Sequence, residues 1–326
     1  MSPWLYEKIR EVDQNRQPYF SSQSTANWFA ALRFEIELKH GMDPRDQFTS
    51  CRNFYKAALK RSKTDPVLGN IVEPLFFSIL NCMSLERLAV TQNNIPWLRP
   101  TSIVNWYYAI YFSVRSIFAA LAANVADDHM KSANCFVSTI KQQLPYPLNM
   151  VATHERGEDY CIELDGVKSP PVCDLNRTFV GERNVSLGML AQYLHGTTKW
   201  YAERTKKKIL LERKDIPNFR TKSARELRDS RLLSEIGFLH CAYRQRVKAN
   251  YRDAIYLSYG KDVDIELDQF LSNLAASARF VSIVAMAFIE RRIGNQVLQE
   301  LFTDLDDNLK SMDIATPLEK FWTTLL

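Results

Sequence analysis

Apolar residues recur at three- and four-residue spacing through most of this chain, and only 10 glycines stand among its 326 residues. Helices use that periodicity to build a buried stripe, whereas tight-turned sheets and phosphate-cradling loops need glycine. The chain is therefore read as all-α. At this length, 46% hydrophobic and 12% aromatic residues supply a large core, so disorder is not the default.

Helices are expected over 4–14, 24–39, 45–61, 71–90, 101–125 and 131–143, punctuated at Asp43-Pro44, Asp65-Pro66 and Arg99-Pro100, because the residue before proline is pushed out of the α region. From 144 to 182 the pattern changes. Pro145, Pro147, Pro170 and Pro171, with Gly157, Gly166 and Gly181, mark an irregular insertion, and DYCIELDGVKSPPV is expected to hold a small β-hairpin around Asp165-Gly166. Helix resumes over 185–214, breaks at Pro217, and runs again over 223–259 and 265–309, the last broken near Gly294. The organisation read from this is a helical N-terminal region (1–98), one half of a helical bundle (99–144), an insertion with a basic helix (145–222), and the second bundle half with C-terminal helices (223–326).

Charge and cysteine usage bound the setting. The net charge of +5 is mild, yet Lys199 to Arg231 holds twelve basic residues against five acidic ones, and the stretch from Glu300 onward leans acidic. Six scattered cysteines without a CxxC pair fit reduced thiols, and the N-terminal MSPWLYEKIREVDQ has no apolar signal segment, so a cytoplasmic protein is expected. The apolar run 103–126 has the length of a membrane span, but Asn105 and Arg115 interrupt it; a buried central helix is expected, and no membrane. Walker A, GxGxxG, HExxH and GxSxG patterns are absent, which removes support for nucleotide triphosphate hydrolysis, Rossmann binding, zinc proteolysis and serine hydrolysis. His154, Cys161 and Cys173 match no zinc spacing, and neither a metal nor a cofactor is expected.

Two segments carry the functional argument: VNWYYAIYFSVRSIFAAL from Val104 and YRQRVKANYRDAIYLSY from Tyr243. In the first, Tyr108, Tyr111 and Arg115 share one helical stripe; in the second, Tyr243, Arg246, Asn250 and Asp253 do. A half-buried guanidinium must find partners, and phenols at helical spacing supply them. Antiparallel packing would bring the two stripes together as one polar seam. Such a seam serves either as a buried network fixing helix register or as a ligand site, and the two roles are compatible. The basic stretch interleaves Trp200, Tyr201 and Phe219, giving cations for phosphates and rings for bases, against the plainer reading of a solvated helix face. Its nucleic-acid candidates are Lys199, Arg204, Lys206, Lys207, Lys208 and Arg213, with Arg244 from the second segment.

The pattern Tyr107-Tyr108-Ala109 with Arg115, matched downstream by Arg246, Ala249, Asn250 and Tyr251, resembles the HEPN superfamily of helical bundles in toxin–antitoxin, CRISPR and phage-defence proteins. His129 sits where many such proteins open a second helix with histidine, beside Asp127 and Asp128. The resemblance covers about residues 100–144 and 230–292. It implies a HEPN-like antiparallel bundle, a homodimer or a dedicated protein partner, and RNA as ligand. Many members are metal-independent ribonucleases; here that implies Arg246 and Arg115 on the phosphate, with Asn250, Tyr251 and His129 near the reacting hydroxyl. The element they use, arginine and histidine separated by four to six intervening residues, occurs only as Arg33 to His40, outside the resembling segments. His240 instead precedes Arg244 and Arg246, and in GFLHCAY it reads as a satisfied core histidine. Two other readings stand beside the ribonuclease: a non-catalytic helical subunit of a defence or nucleic-acid-processing complex, and a nucleotide-binding partner of a nucleotidyltransferase.

Overall fold

A computed structural model describes residues 4, 7, 8, 11, 18–59, 67–91, 97–123, 128–171, 173–175, 177, 179–252, 254–258 and 267–311. The expected first helix, 4–14, falls largely outside them, as does Asp65-Pro66. The helices before the insertion are α1 (Pro18–His40), α2 (Pro44–Ala58), α3 (Leu68–Thr91), α4 (Leu98–Ala120) and α5 (His129–Cys135). After it come α6 (Arg183–Glu212), α7 (Lys222–Arg231), α8 (Phe238–Val247), α9 (Ala254–Ser258), α10 (Leu267–Ile293) and α11 (Gln296–Ser311).

Local chemistry sets the ends. Asp43 caps α2, accepting from Arg45 N at 2.7 Å, with Pro44 pre-set for the first turn. Asp128 caps α5 by accepting from Lys131 N at 2.7 Å. Gly294, at φ 101°, separates α10 from α11 at the position expected, since a left-handed residue there is easiest for glycine. α4 stops sooner than expected: Ala122 turns to φ 54° and Ala123 N–H closes back on the Phe118 carbonyl at 3.0 Å, an end that no glycine or proline announces.

α10 runs through the centre. Phe280 to Ile289 are ten consecutive buried residues, so this helix is enclosed on every side, with α1, α2, α3 and α4 packed on it. Ser78, Ser113 and Ser282 let α3, α4 and α10 approach closely, and their hydroxyls satisfy one another: Ser78 Oγ lies 2.7 Å from Ser113 Oγ, 2.8 Å from Ser282 Oγ and 2.8 Å from the Ala109 carbonyl. Beside them Trp28 meets Phe29, Trp106 and Tyr193 at ring separations of 5.0, 5.5 and 5.2 Å, and Trp106 Nε1 donates to Ser277 Oγ at 2.9 Å. α1 to α3 thus share one core with the later helices.

The fold is predominantly helical but not purely so. The insertion builds β1 (Val151–Arg156), β2 (Asp159–Leu164) and β3 (Val167–Lys168), with β2 and β3 joined at Asp165-Gly166 as expected. Both turn residues are left-handed, at φ 51° and 76°, the requirement of a tight hairpin whose twist matches its strands. A fourth strand, β4 (Glu235–Gly237), corrects the expected continuous helix over 223–259: it pairs antiparallel with β1, giving the order β3-β2-β1-β4. The unpaired edge of β1 outweighs the helical propensity of the segment, and a three-residue strand leaves no periodic trace in sequence. The expected helix over 131–143 also changes character, widening into a π turn at Phe136–Ile140 and ending in a short tight turn at Lys141–Gln143.

Two stretches, Leu68–Val90 of α3 and Gln269–Ile293 of α10, have the length and hydropathy to cross a membrane; 83% of the latter is buried within the protein and 33% of the former. The apolar run around α4, expected from sequence to be a buried central helix, is a core helix, with Trp106, Tyr107 and Ile110 fully buried.

Candidate functional site

α4, α5 and α8 meet where the sequence places the polar seam, and the meeting is aromatic around the Arg246 guanidinium and the His129 imidazole. Arg246, near the end of α8, lies over the rings of Tyr107 and Tyr108 at 5.5 and 5.4 Å, and its Nη2 donates to Tyr108 Oη at 3.2 Å. Its Nε is buried without a hydrogen-bond acceptor, and no carboxylate pairs with it among the described residues. Two phenol rings satisfy the charge in part.

His129, the first residue of α5, stands in the same cluster. Its Nδ1 is 2.8 Å from Tyr107 Oη, and its ring is surrounded by Tyr107, Tyr108, Tyr111 and Tyr243 at 5.4, 6.2, 4.6 and 5.8 Å. Partial burial and the nearby Arg246 hold its pKa below the usual histidine value, against the opposing pull of Asp128. Burial keeps the Tyr107 phenol protonated well beyond neutral pH, despite Arg246. The imidazole is therefore neutral at physiological pH, anchored through Nδ1, and Nε2 has no hydrogen-bond partner among the described residues.

Of the five residues expected to carry chemistry, Arg246 and His129 come together. Arg115 is half-buried on α4, two turns beyond Tyr108, about 10 Å along the axis by helix rise, while Arg246 engages the Tyr107–Tyr108 end. Asn250 is exposed on the π turn that follows α8. The side chain of Tyr251 lies outside the described residues, as does Asp253. Tyr243, expected on the seam's stripe, lies beside the His129 ring, whereas Tyr107 falls on the apolar stripe of α4, and only the packing of α5 turns its hydroxyl into an imidazole anchor. The matched Arg33 and His40 serve structure instead. Arg33 bonds Glu37 at 2.6 Å and Ser272 at 2.8 Å; His40 bonds Ser50 Oγ at 2.8 Å and the Tyr146 carbonyl at 2.7 Å.

The basic stretch divides by partner. Lys206 pairs with Glu203 and with Glu158 at 3.1 Å, Lys208 with Glu212 at 3.7 Å, and Arg213 with Asp215 at 2.7 Å. Arg244 is half-buried against α6, donating to Thr197 Oγ1 at 3.1 Å and lying 4.9 Å from the Tyr193 ring. Lys199 and Lys207 are exposed with no carboxylate partner among the described residues, and Arg204 lies 4.6 Å over Trp200. His154 is bonded to the Gly157 carbonyl at 2.9 Å, and no group of three metal-ligating side chains occurs among the described residues.

No known protein family, no curated protein and no solved structure matches the chain.

Proposed function

We propose that the seam binds a phosphate of RNA and that the chain is a HEPN-like, metal-independent ribonuclease of prokaryotic defence. The observation that carries this reading is Arg246: a partly buried guanidinium lying over two tyrosine rings, with no carboxylate partner among the described residues, in one cluster with a neutral histidine. An arginine so placed has donors left for a phosphate. With Nδ1–H given to Tyr107 Oη, His129 Nε2 is an acceptor that takes the proton of a ribose 2′-hydroxyl. The 2′ oxygen then attacks phosphorus, the 5′ oxygen departs and takes a proton from solvent, and Arg246 neutralises charge on the phosphoryl oxygens.

The test is cleavage of single-stranded RNA in the presence of chelator. His129→Ala should lower the rate by about 10²-fold or more, the range of acid–base catalysis, and Arg246→Ala should lower both rate and affinity. A folded Arg246→Ala protein that binds and cleaves like wild type overturns the proposal. One feature favours the non-catalytic subunit reading: α3 leaves apolar surface uncovered, with Phe77 39% and Val90 77% exposed.

A further inference from the structure

Two cations of α6 without a carboxylate partner among the described residues, Arg204 and Lys207, share one side of the helix with Trp200. At 100° per residue, Trp200, Arg204 and Lys207 fall within an arc of about 60° on one side of the helix, with Lys199 about 80° beyond its nearer edge. Arg204 and Lys207 are exposed and Trp200 is half-buried, its indole edge-on to Tyr201 at 4.7 Å. That packing holds the indole in place, and the exposed Arg204 guanidinium lies 4.6 Å over its ring.

Trp200 is also joined to the seam. Its ring is 6.5 Å from Tyr243, and Tyr243 is 5.8 Å from His129 with the two planes within 26°. The route from the indole to the imidazole through this one ring is at most ~12 Å, three to four rises of 3.4 Å along a stacked strand. Every base offers a π face to such rings, whereas a base-paired duplex does not, because its bases already stack on each other.

Resting on the reading of the seam as an RNA site, we propose that Trp200 and Arg204 form a second subsite, which takes an unpaired base a few nucleotides from the phosphate held at Arg246. The base stacks on the exposed guanidinium of Arg204, which the indole backs, and Lys207 neutralises the phosphate that follows. The ligand class is therefore single-stranded RNA long enough to reach from α8 onto α6.

Fluorescence anisotropy with two labelled uridine oligomers tests this, a trinucleotide and a twelve-nucleotide strand, both carrying 2′-fluoro groups so that no 2′ oxygen can attack. Arg204→Ala changes only an exposed side chain, and Trp200→Leu keeps an apolar group at the half-buried position. Both should weaken the longer strand by about tenfold, as expected for one stacked base, and leave the trinucleotide within twofold of wild type. Arg246→Ala should weaken both strands. If neither α6 variant affects the longer strand while Arg246→Ala does, the subsite is refuted and the seam reading stands. If wild type binds neither strand, or Arg246→Ala changes nothing, the seam reading fails and takes the subsite with it.

Discussion

Acid should loosen the joint between the helix that carries His129 and the helix that carries Arg246, through His240. This residue is fully buried, and the backbone N–H of Gly237 donates to its Nδ1 at 3.2 Å. An amide N–H can only donate, so the ring proton sits on Nε2, which donates to Asn134 Oδ1 of α5 at 2.9 Å. Protonating Nδ1 would bury a charge and set one donor against another. Burial accordingly pushes the His240 pKa down to about 3. Its unfolded value is about 6.5, so between these two the unfolded chain binds the proton and the native chain does not. The stabilisation is complete above pH 6.5 and is lost as pH falls, at ~1.4 kcal/mol per pH unit, which gives ~2 kcal/mol by pH 5. His40 and His129 are also lowered and act in the same direction, so the comparison must be with a variant. His240→Gln keeps one acceptor and one donor but cannot titrate. In urea unfolding followed by circular dichroism at pH 7.5 and 5.0, wild type should lose ~2 kcal/mol more than the variant. Equal losses in the two proteins would refute the assignment.

Other outcomes follow from single contacts. Gly188→Ala should destabilise by about 1–3 kcal/mol in chemical denaturation, although alanine is the better helix former, because the new Cβ would meet Cys173 Sγ and lie 2.7 Å from the Pro171 carbonyl oxygen; a neutral result contradicts the packing. Tyr107→Phe removes the partner of His129 Nδ1 and should cost about 1 kcal/mol of stability and slow cleavage while leaving RNA affinity unchanged, as Arg246 stays in place. The acid limb of the cleavage profile should have its midpoint below pH 6.5, since His129 must be neutral to act and its pKa is lowered; a midpoint above 6.5 argues against it as the base.

The sequence makes most helices legible because they bury a face repeating at 3.6 residues, and the Asp165-Gly166 hairpin legible because few dipeptides tolerate two left-handed residues in succession. Gly294 was readable for the same reason. β4 was not: Glu235–Gly237 becomes a strand through its partner β1, eighty-odd residues earlier, and nothing within three residues encodes that pairing. At the seam, Arg246 and Tyr108 could be named from helical spacing and His129 from the family resemblance, whereas Tyr107, though part of that resemblance, lay on the apolar stripe until α5 packed against it. The basic stretch shows the opposite limit. Charge counts treat Lys206, Lys208 and Arg213 like Lys207, yet the first three are committed to carboxylates, of which Glu158 sits in another part of the chain.

The break at β4 is what makes the seam possible. A single helix over 223–259 would be about 55 Å long at 1.5 Å per residue, against about 40 Å for α10, so it would overshoot the bundle. Ending α7 at Arg231 and pairing Glu235–Gly237 with β1 lets α8 start afresh at Phe238, in a direction set by the sheet. Gly237 is close-fitted at this junction, since a Cβ there would lie 3.1 Å from the Met150 carbonyl. From that start, two ties hold α5 and its following turns to the same corner: Asn134 to His240, and Lys141 to Glu235 of β4. The first residue of α5 and the ninth of α8 are thereby fixed against the same turn of α4. The insertion, which looks in sequence like an interruption of the bundle, orients the two helices on which the proposed chemistry depends.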